Sequence, residues 1–150
     1  MDKKFQSFLE IAKALNKHGI VPVLYGSLGL YRITGQLDKI NDIDIIIPNK
    51  ILINNLEELM RILAEVNYKQ DASYPHEFTK GEGSVGFEPE SDLIKLEIDI
   101  EKLKITEIDG VKFKELALKD YLLVYKRNQE SQQKKLTSTK TKIEAIEKII

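Results

Sequence analysis

The sequence predicts an α+β fold, close to the α/β type, in which helices flank a mixed β-sheet. Three observations carry that expectation. The first 66 residues alternate between apolar residues at helical spacing and short apolar, strand-like runs. The middle holds a glycine-tipped hairpin pattern, HEFTKGEGSVGFEPES, followed by strict alternation in LEIDI. The last third returns to helical periodicity.

Taken in order, residues 2–18 read as an amphipathic helix, with Phe5, Phe8, Leu9, Ala12 and Leu15 on one face and His18-Gly19 as its stop. Ile20 to Tyr25 is a short strand, and Pro22 confines it to a sheet edge or a strand start. Leu28 to Thr34 is a short helix closed by Gly35, QLDKIN is a loop, and Asp42 to Ile47 is a strand stopped by Pro48-Asn49. A further helix covers about Asn54 to Val66, presenting Leu56, Leu59, Met60 and Leu63. Gly81-Glu82-Gly83 turns the hairpin.

Leu93 to Ile100 then reads as a strand, with Leu96, Ile98 and Ile100 on one face and Lys95, Glu97 and Asp99 on the other. ITEIDGVKF holds a strand or hairpin around Asp109-Gly110. Leu116 to Gln129 is a helix, with Leu118, Leu122, Leu123 and Tyr125 toward the core. The polar run ESQQKKLTSTKTK, residues 130–142, reads as a mobile loop before a last helix, Ile143 to Ile150. The whole of 1–150 is expected to form one domain with a helical tail from about residue 116.

Bulk properties exclude several classes. With 42% hydrophobic residues, 31% charged residues and a net charge of −1, the chain is an ordinary globular sequence and not a bulk polyanion binder. It has no cysteine, which removes disulfides, thiolate metal sites and a cysteine nucleophile. No apolar run approaches the roughly 18 residues of a membrane span, and MDKKFQSFLEIAK lacks the apolar stretch of a signal peptide. The expectation is a cytoplasmic chain with no membrane contact.

Two short motifs carry chemistry. A strand ending at Gly26-Ser27 ahead of a helix leaves backbone N–H groups and a hydroxyl facing outward, where anions bind; a serine N-cap is the bland alternative. Asp42 and Asp44 share one strand face with α-carbons about 6.5 Å apart, a spacing from which carboxylates converge on Mg²⁺. The bland alternative is a solvated edge, although aspartate is a poor strand former. A third carboxylate from the later stretch, Asp99 or Glu97, would complete a metal site; an exposed acidic face balanced by Lys95 and Lys102 explains that stretch equally well.

LYGSLGLY, NDIDIII and LEIDI together resemble the nucleotidyltransferases related to DNA polymerase beta, and most closely their small stand-alone members, the antibiotic-modifying and toxin-type enzymes. The resemblance covers about residues 2–128, with Arg32 and Thr34 similar to the arginine-threonine stretch of the toxin-type group and Lys126 near the end of the later helix. It implies a nucleotidyltransferase-like fold and attack of a hydroxyl on the α-phosphorus of a nucleoside triphosphate such as ATP, with release of pyrophosphate. It implies that Gly26 and Ser27 hold phosphates and that Asp42 and Asp44 bind two Mg²⁺ ions. Asp99, preferred over Glu97, would be the third metal ligand or the general base.

Arg32, Lys80 and Lys95 are the candidate phosphate contacts, against the commoner role of surface charge. Lys134, Lys135, Lys140 and Lys142 are weighed as phosphate or RNA contacts against a solvated loop. His18 and His76 form no metal motif. The acceptor, a small molecule, a protein or an RNA end, stays open, as does completion of its pocket by a homodimer or a partner protein. The alternative is a catalytically inactive nucleotide- or partner-binding module, a toxin–antitoxin-like interaction protein.

Overall fold

The computed structural model describes residues 3–35, 40, 42–131 and 136–150. Helix α1 (Lys3–Lys17) buries Phe5, Phe8, Ile11, Ala12 and Leu15. Strand β1 (Val23–Tyr25) begins after Pro22 and runs directly into α2 (Gly26–Thr34). Gly35, at φ 65°, closes α2 by donating its N–H to the Tyr31 carbonyl. Strand β2 (Ile43–Ile47) is followed by α3 (Asn49–Leu52) and α4 (Leu56–Ala64). Then come β3 (Lys69–Gln70) and the hairpin of β4 (Glu77–Lys80) and β5 (Gly83–Pro89). Helix α5 (Ser91–Ile94), a 3-10 turn (Ile100–Lys102), β6 (Lys104–Ile108), β7 (Val111–Glu115), α6 (Leu118–Ser131) and α7 (Leu136–Ile149) complete the order.

The strands form one mixed sheet in the order β3-β4-β5-β2-β1-β7-β6. Strand β1 runs antiparallel to β2 and parallel to β7, and β2 runs parallel to β5. Side chains alternate across the sheet and feed two cores. Leu24, Ile43, Ile45, Ile47, Val85 and Phe87 join α1 and α4 in one. Val23 and Ile46 join Leu30, Leu93 and the apolar faces of α6 and α7 in the other. Asp44 lies between Ile43 and Ile45, so it points to the face of the sheet against which α6 and α7 pack. The mixed sheet with flanking helices is the fold class that the sequence predicts.

Three expectations need correction. Leu93 to Ile100 is not a strand. The chain makes one helical turn, then reverses at Glu97, whose φ of 61° lets Ile98 donate its N–H to the Leu93 carbonyl. Leu96, Ile98 and Ile100 still face the second core, which is why their spacing mimicked a strand. Much of the loop expected over 130–142 is helix, because α6 continues to Ser131 and α7 begins at Leu136, while residues 132–135 lie outside the described residues. Met60 and Leu123 are exposed, while Ile62, Tyr121 and Val124 take the buried positions. Of QLDKIN only Ile40 is described, and Lys134 and Lys135 also lie outside the described residues. Among the described residues, no helix is long and apolar enough to cross a membrane.

Candidate functional site

The register of the sheet builds the site. Asp44 pairs with Tyr25 on one side and Gly86 on the other, and Glu88 sits opposite Ile46. Because β2 and β5 are parallel and in register, Asp44 and Glu88 project from the same face of neighbouring strands. Gly26, at φ 65°, adopts a left-handed conformation that glycine tolerates without strain. A Cβ there would collide with Asp44 Oδ2. Glycine is therefore required twice at this turn, once for the backbone and once for the carboxylate packed against it. A Cβ built on Gly86 would lie 3.5 Å from Asp44 Oδ1, so the carboxylate spans the space between the two glycines.

Around this carboxylate opens a cleft of about 540 Å³. Gly26 and Ser27 form one wall at the start of α2, whose first N–H groups have no partner within the helix. Asp44, Glu88 and Asp92 supply acids, and Lys95, Arg127 and Lys142 supply cations. Tyr25, Tyr125 and Asn128 also line it. A second cavity of about 350 Å³ shares Asp44 and Glu88 and is otherwise walled by Tyr74, Pro75, His76, Glu77, Gly86 and Phe87. The two carboxylates stand at the boundary between the cavities.

Burial, then the charges of Asp44 and Asp92, push the Glu88 carboxyl up to about 7. A cation placed between these acids would offset that repulsion. Among the described residues, no three acid or histidine side chains converge on one metal position. Mg²⁺ binds through one or two protein carboxylates with phosphate oxygens and water, so Asp44 and Glu88 are a fitting donor set. Burial also raises the Tyr25 and Tyr125 phenols, with nearby acids adding to it, so both stay protonated.

Gly26, Ser27, Asp44 and Lys95 thus line one cleft. Asp42 is exposed one residue ahead of β2 and lines neither cavity. Arg32 stands elsewhere: its Nε donates to Glu115 Oε2 at 2.9 Å, and its guanidinium lies 4.6 Å from the Phe5 ring centre. Asp99 accepts the Glu101 N–H at 3.0 Å and caps the 3-10 turn. Asp99 and Glu97 line a separate shallow cavity with Glu90 and Ile94. The loss of the expected strand at 93–100 removes the geometry that would have aimed them at Asp44. Lys80 faces Glu10 at 3.8 Å, outside the cleft.

Sequence reasoning missed Glu88, Asp92, Tyr125, Arg127 and Asn128 as cleft residues. Glu88 had a readable signal. In SVGFEP, Val85 and Phe87 alternate with Gly86 and Glu88, which assigns the acid to the face opposite the apolar pair. The contribution from α6 had none, since it depends on how the helix returns across the sheet.

The family model described as "Nucleotidyl transferase of unknown function (DUF2204)" matches residues 4–149. The protein YnaI of Bacillus subtilis (strain 168) is 37% identical over 128 residues, which is 84% of this chain and 82% of that protein. Among solved structures, ANT(2")-Ia in complex with adenylyl-2"-tobramycin is similar at a TM-score of 0.63 and 15% identity, over 97% of this chain and 88% of that one. An antigenic nucleotidyltransferase-like protein from Paracoccidioides brasiliensis gives a TM-score of 0.63 at 15% identity, over 94% and 73% of the two chains. At these identities the structural likeness is one of fold.

Proposed function

The chain belongs to this nucleotidyl transferase family, and from that premise we propose that it transfers a nucleoside monophosphate from a magnesium-bound nucleoside triphosphate to a hydroxyl group. The observation that carries the proposal is the cleft in which the N-terminus of α2, at Gly26-Ser27, faces Asp44 and Glu88 with Lys95, Arg127 and Lys142 around it. Unpaired N–H groups at a helix start and a ring of cations suit a polyphosphate. The carboxylates suit the cation that accompanies it.

In this reading the β- and γ-phosphates lie against Gly26 and Ser27. Asp44 and Glu88 would hold Mg²⁺, which supplies charge neutralisation on the phosphate oxygens when bound. The acceptor oxygen bonds to the α-phosphorus, the bond to the pyrophosphate oxygen breaks, and the hydroxyl proton passes to a carboxylate at the cavity boundary. Attack in line with the departing pyrophosphate brings the acceptor from the side away from Gly26. The cavity walled by Tyr74, His76 and Phe87 occupies that side and shares both carboxylates. Glu88 takes the part that sequence alone assigned to Asp99.

One observation favours a second reading, a binding module without turnover: only Asp44 of the sequence-predicted acids reaches the cleft. A single experiment separates the two. Thermal melts of the wild type and Asp44→Asn are recorded with Mg²⁺ and each of the four ribonucleoside triphosphates, alongside an assay for pyrophosphate. A ligand at about 100 times its dissociation constant stabilises the fold by about 2.7 kcal/mol. A magnesium-dependent shift lost in the variant, with pyrophosphate released, supports the transferase. A shift without pyrophosphate under any acceptor supports the binding module. No shift with any nucleotide at millimolar concentration removes both.

A further inference from the structure

Tyr125 is 6% exposed, and its hydroxyl has no hydrogen-bond partner among the described residues. It is the one buried side-chain polar atom there of which this is true. A buried, unsatisfied hydroxyl costs stability, and such groups call for an explanation. Its neighbour Tyr121 shows the ordinary solution, donating to the Leu24 carbonyl at 3.4 Å.

The Tyr125 ring is held from two sides. It stacks on Tyr121 with centroids 6.1 Å apart and planes inclined by 17°, and Lys142 Nζ lies 5.1 Å from its centre. Tyr121 in turn stacks on Tyr25 at 6.4 Å, so three tyrosines form a ladder from β1 to α6. Tyr125 lines the cleft with Gly26, Ser27 and Asp44. The phenol is thus a fixed donor with nothing to donate to within the described chain. Lys142 lies beside it, and the cleft that it lines also holds the first N–H groups of α2 and the acids Asp44, Glu88 and Asp92. An anionic oxygen that arrives with a cation between those acids is therefore a fitting acceptor.

We propose that Tyr125 binds substrate, its hydroxyl donating to a phosphate oxygen of the nucleotide in the cleft. This rests on the nucleotidyl-transfer reading for the identity of the anion. It goes beyond it in assigning part of phosphate recognition to α6 and in explaining why the hydroxyl stands unpaired. The stability lost by the unpaired hydroxyl is recovered when the ligand enters.

The test compares wild type, Tyr125→Phe and Tyr121→Phe in Mg²⁺ with ATP and with inorganic tripolyphosphate, which keeps the phosphates and removes the nucleoside. Melting temperatures are read without ligand, and dissociation constants by calorimetry. Tyr125→Phe is expected to melt no lower than wild type without ligand and to bind both probes about tenfold more weakly, the effect of one lost hydrogen bond. Tyr121→Phe is expected to do the reverse, melting lower with affinity kept.

Equal binding of both probes by wild type and Tyr125→Phe overturns the inference and leaves nucleotide binding standing. A loss confined to ATP moves the contact to the nucleoside and also overturns it. A fall in the ligand-free melting temperature of Tyr125→Phe makes the hydroxyl structural. If the wild type binds neither probe, the nucleotide reading fails, and this inference fails with it.

Discussion

Tyr121 on α6 places its hydroxyl where a side chain on Gly29 of α2 would have to begin, and the same hydroxyl donates to the carbonyl of Leu24 in the middle of β1. The glycine two positions after Ser27 therefore serves packing between α2 and α6. An alanine there would gain about 1 kcal/mol of helix propensity. It would lose more, because overpacking a filled site costs roughly 1–3 kcal/mol and the hydrogen bond to Leu24 is displaced as well. Gly29→Ala is expected to lower stability by about 1–2 kcal/mol in a urea titration. Adding Tyr121→Phe, which removes the colliding oxygen, should return most of that loss. Additive effects in the double variant would show that the two residues do not meet.

The Arg32–Glu115 pair sets a second expectation. Glu115 is 9% exposed and accepts from Arg32 and from Thr106 Oγ1. Burial pushes its carboxyl up, but the hydrogen bonds from Arg32 and Thr106 outweigh it and hold it below the usual carboxylate range. Arg32→Ala leaves a buried carboxylate with Thr106 alone and is expected to cost roughly 2–4 kcal/mol. The sign of the pH dependence follows from the lowered value. The pair's contribution is full above the ordinary carboxylate range and is lost as pH falls through the folded value. The variant should therefore lose less stability than wild type on acidification, while magnesium-nucleotide affinity stays unchanged because Arg32 is outside the cleft. A large loss of nucleotide affinity in a folded Arg32 variant would return this residue to phosphate binding.

How much was legible in the sequence depended on the range of the forces involved. The face of α1 and the unbroken apolar run at the end of β2 were readable because local pattern and burial agree there. The turn at Gly26 was readable because strand, glycine and helix meet within three residues. LEIDI was misread because a helical turn reversed at Glu97 buries alternate residues just as a strand does. The pairing of Arg32 was not readable because its partner is 83 residues away on β7. Both α6 and the end of α7 were readable as helices, but the polar run from 130 to 142 concealed the first turns of α7, whose burial comes from Ile143 and Ile146 beyond it.

Glu88 makes the metal-free protein sensitive to pH. Its carboxyl is raised from 4.5 to about 7, chiefly by burial and then by Asp44 and Asp92. Between those values the folded state binds more protons than the unfolded state, so stability falls as pH rises through that window. The loss from this one group is at most about 3 kcal/mol. With chelator present, Glu88→Gln should flatten that part of the profile and melt higher than wild type at pH 8. Mg²⁺ should raise the wild-type curve above pH 7 and leave the Gln variant nearly unmoved. Identical profiles for the two proteins would mean that Glu88 is solvated and carries no such strain.

The competing third carboxylates give the sharpest comparison in activity. Glu88 shares a face with Asp44 on the adjacent strand, whereas Asp99 caps a turn in a different cavity. Asp44→Asn and Glu88→Gln are each expected to lower magnesium-dependent pyrophosphate release by a factor on the order of 100 or more, the usual scale for removing a group that acts on the reacting atoms. Asp99→Asn keeps an acceptor oxygen for the Glu101 N–H, so it should leave both stability and the rate nearly unchanged, the rate within about twofold. Glu97, with a left-handed backbone and no place in the cleft, should respond to Glu97→Gly by a gain in stability, since glycine suits that φ better. The four variants measured side by side rank the acids directly. If Asp99→Asn loses activity as deeply as Glu88→Gln while remaining folded, the segment from 95 to 100 must rearrange when nucleotide binds, and the third carboxylate is Asp99 after all.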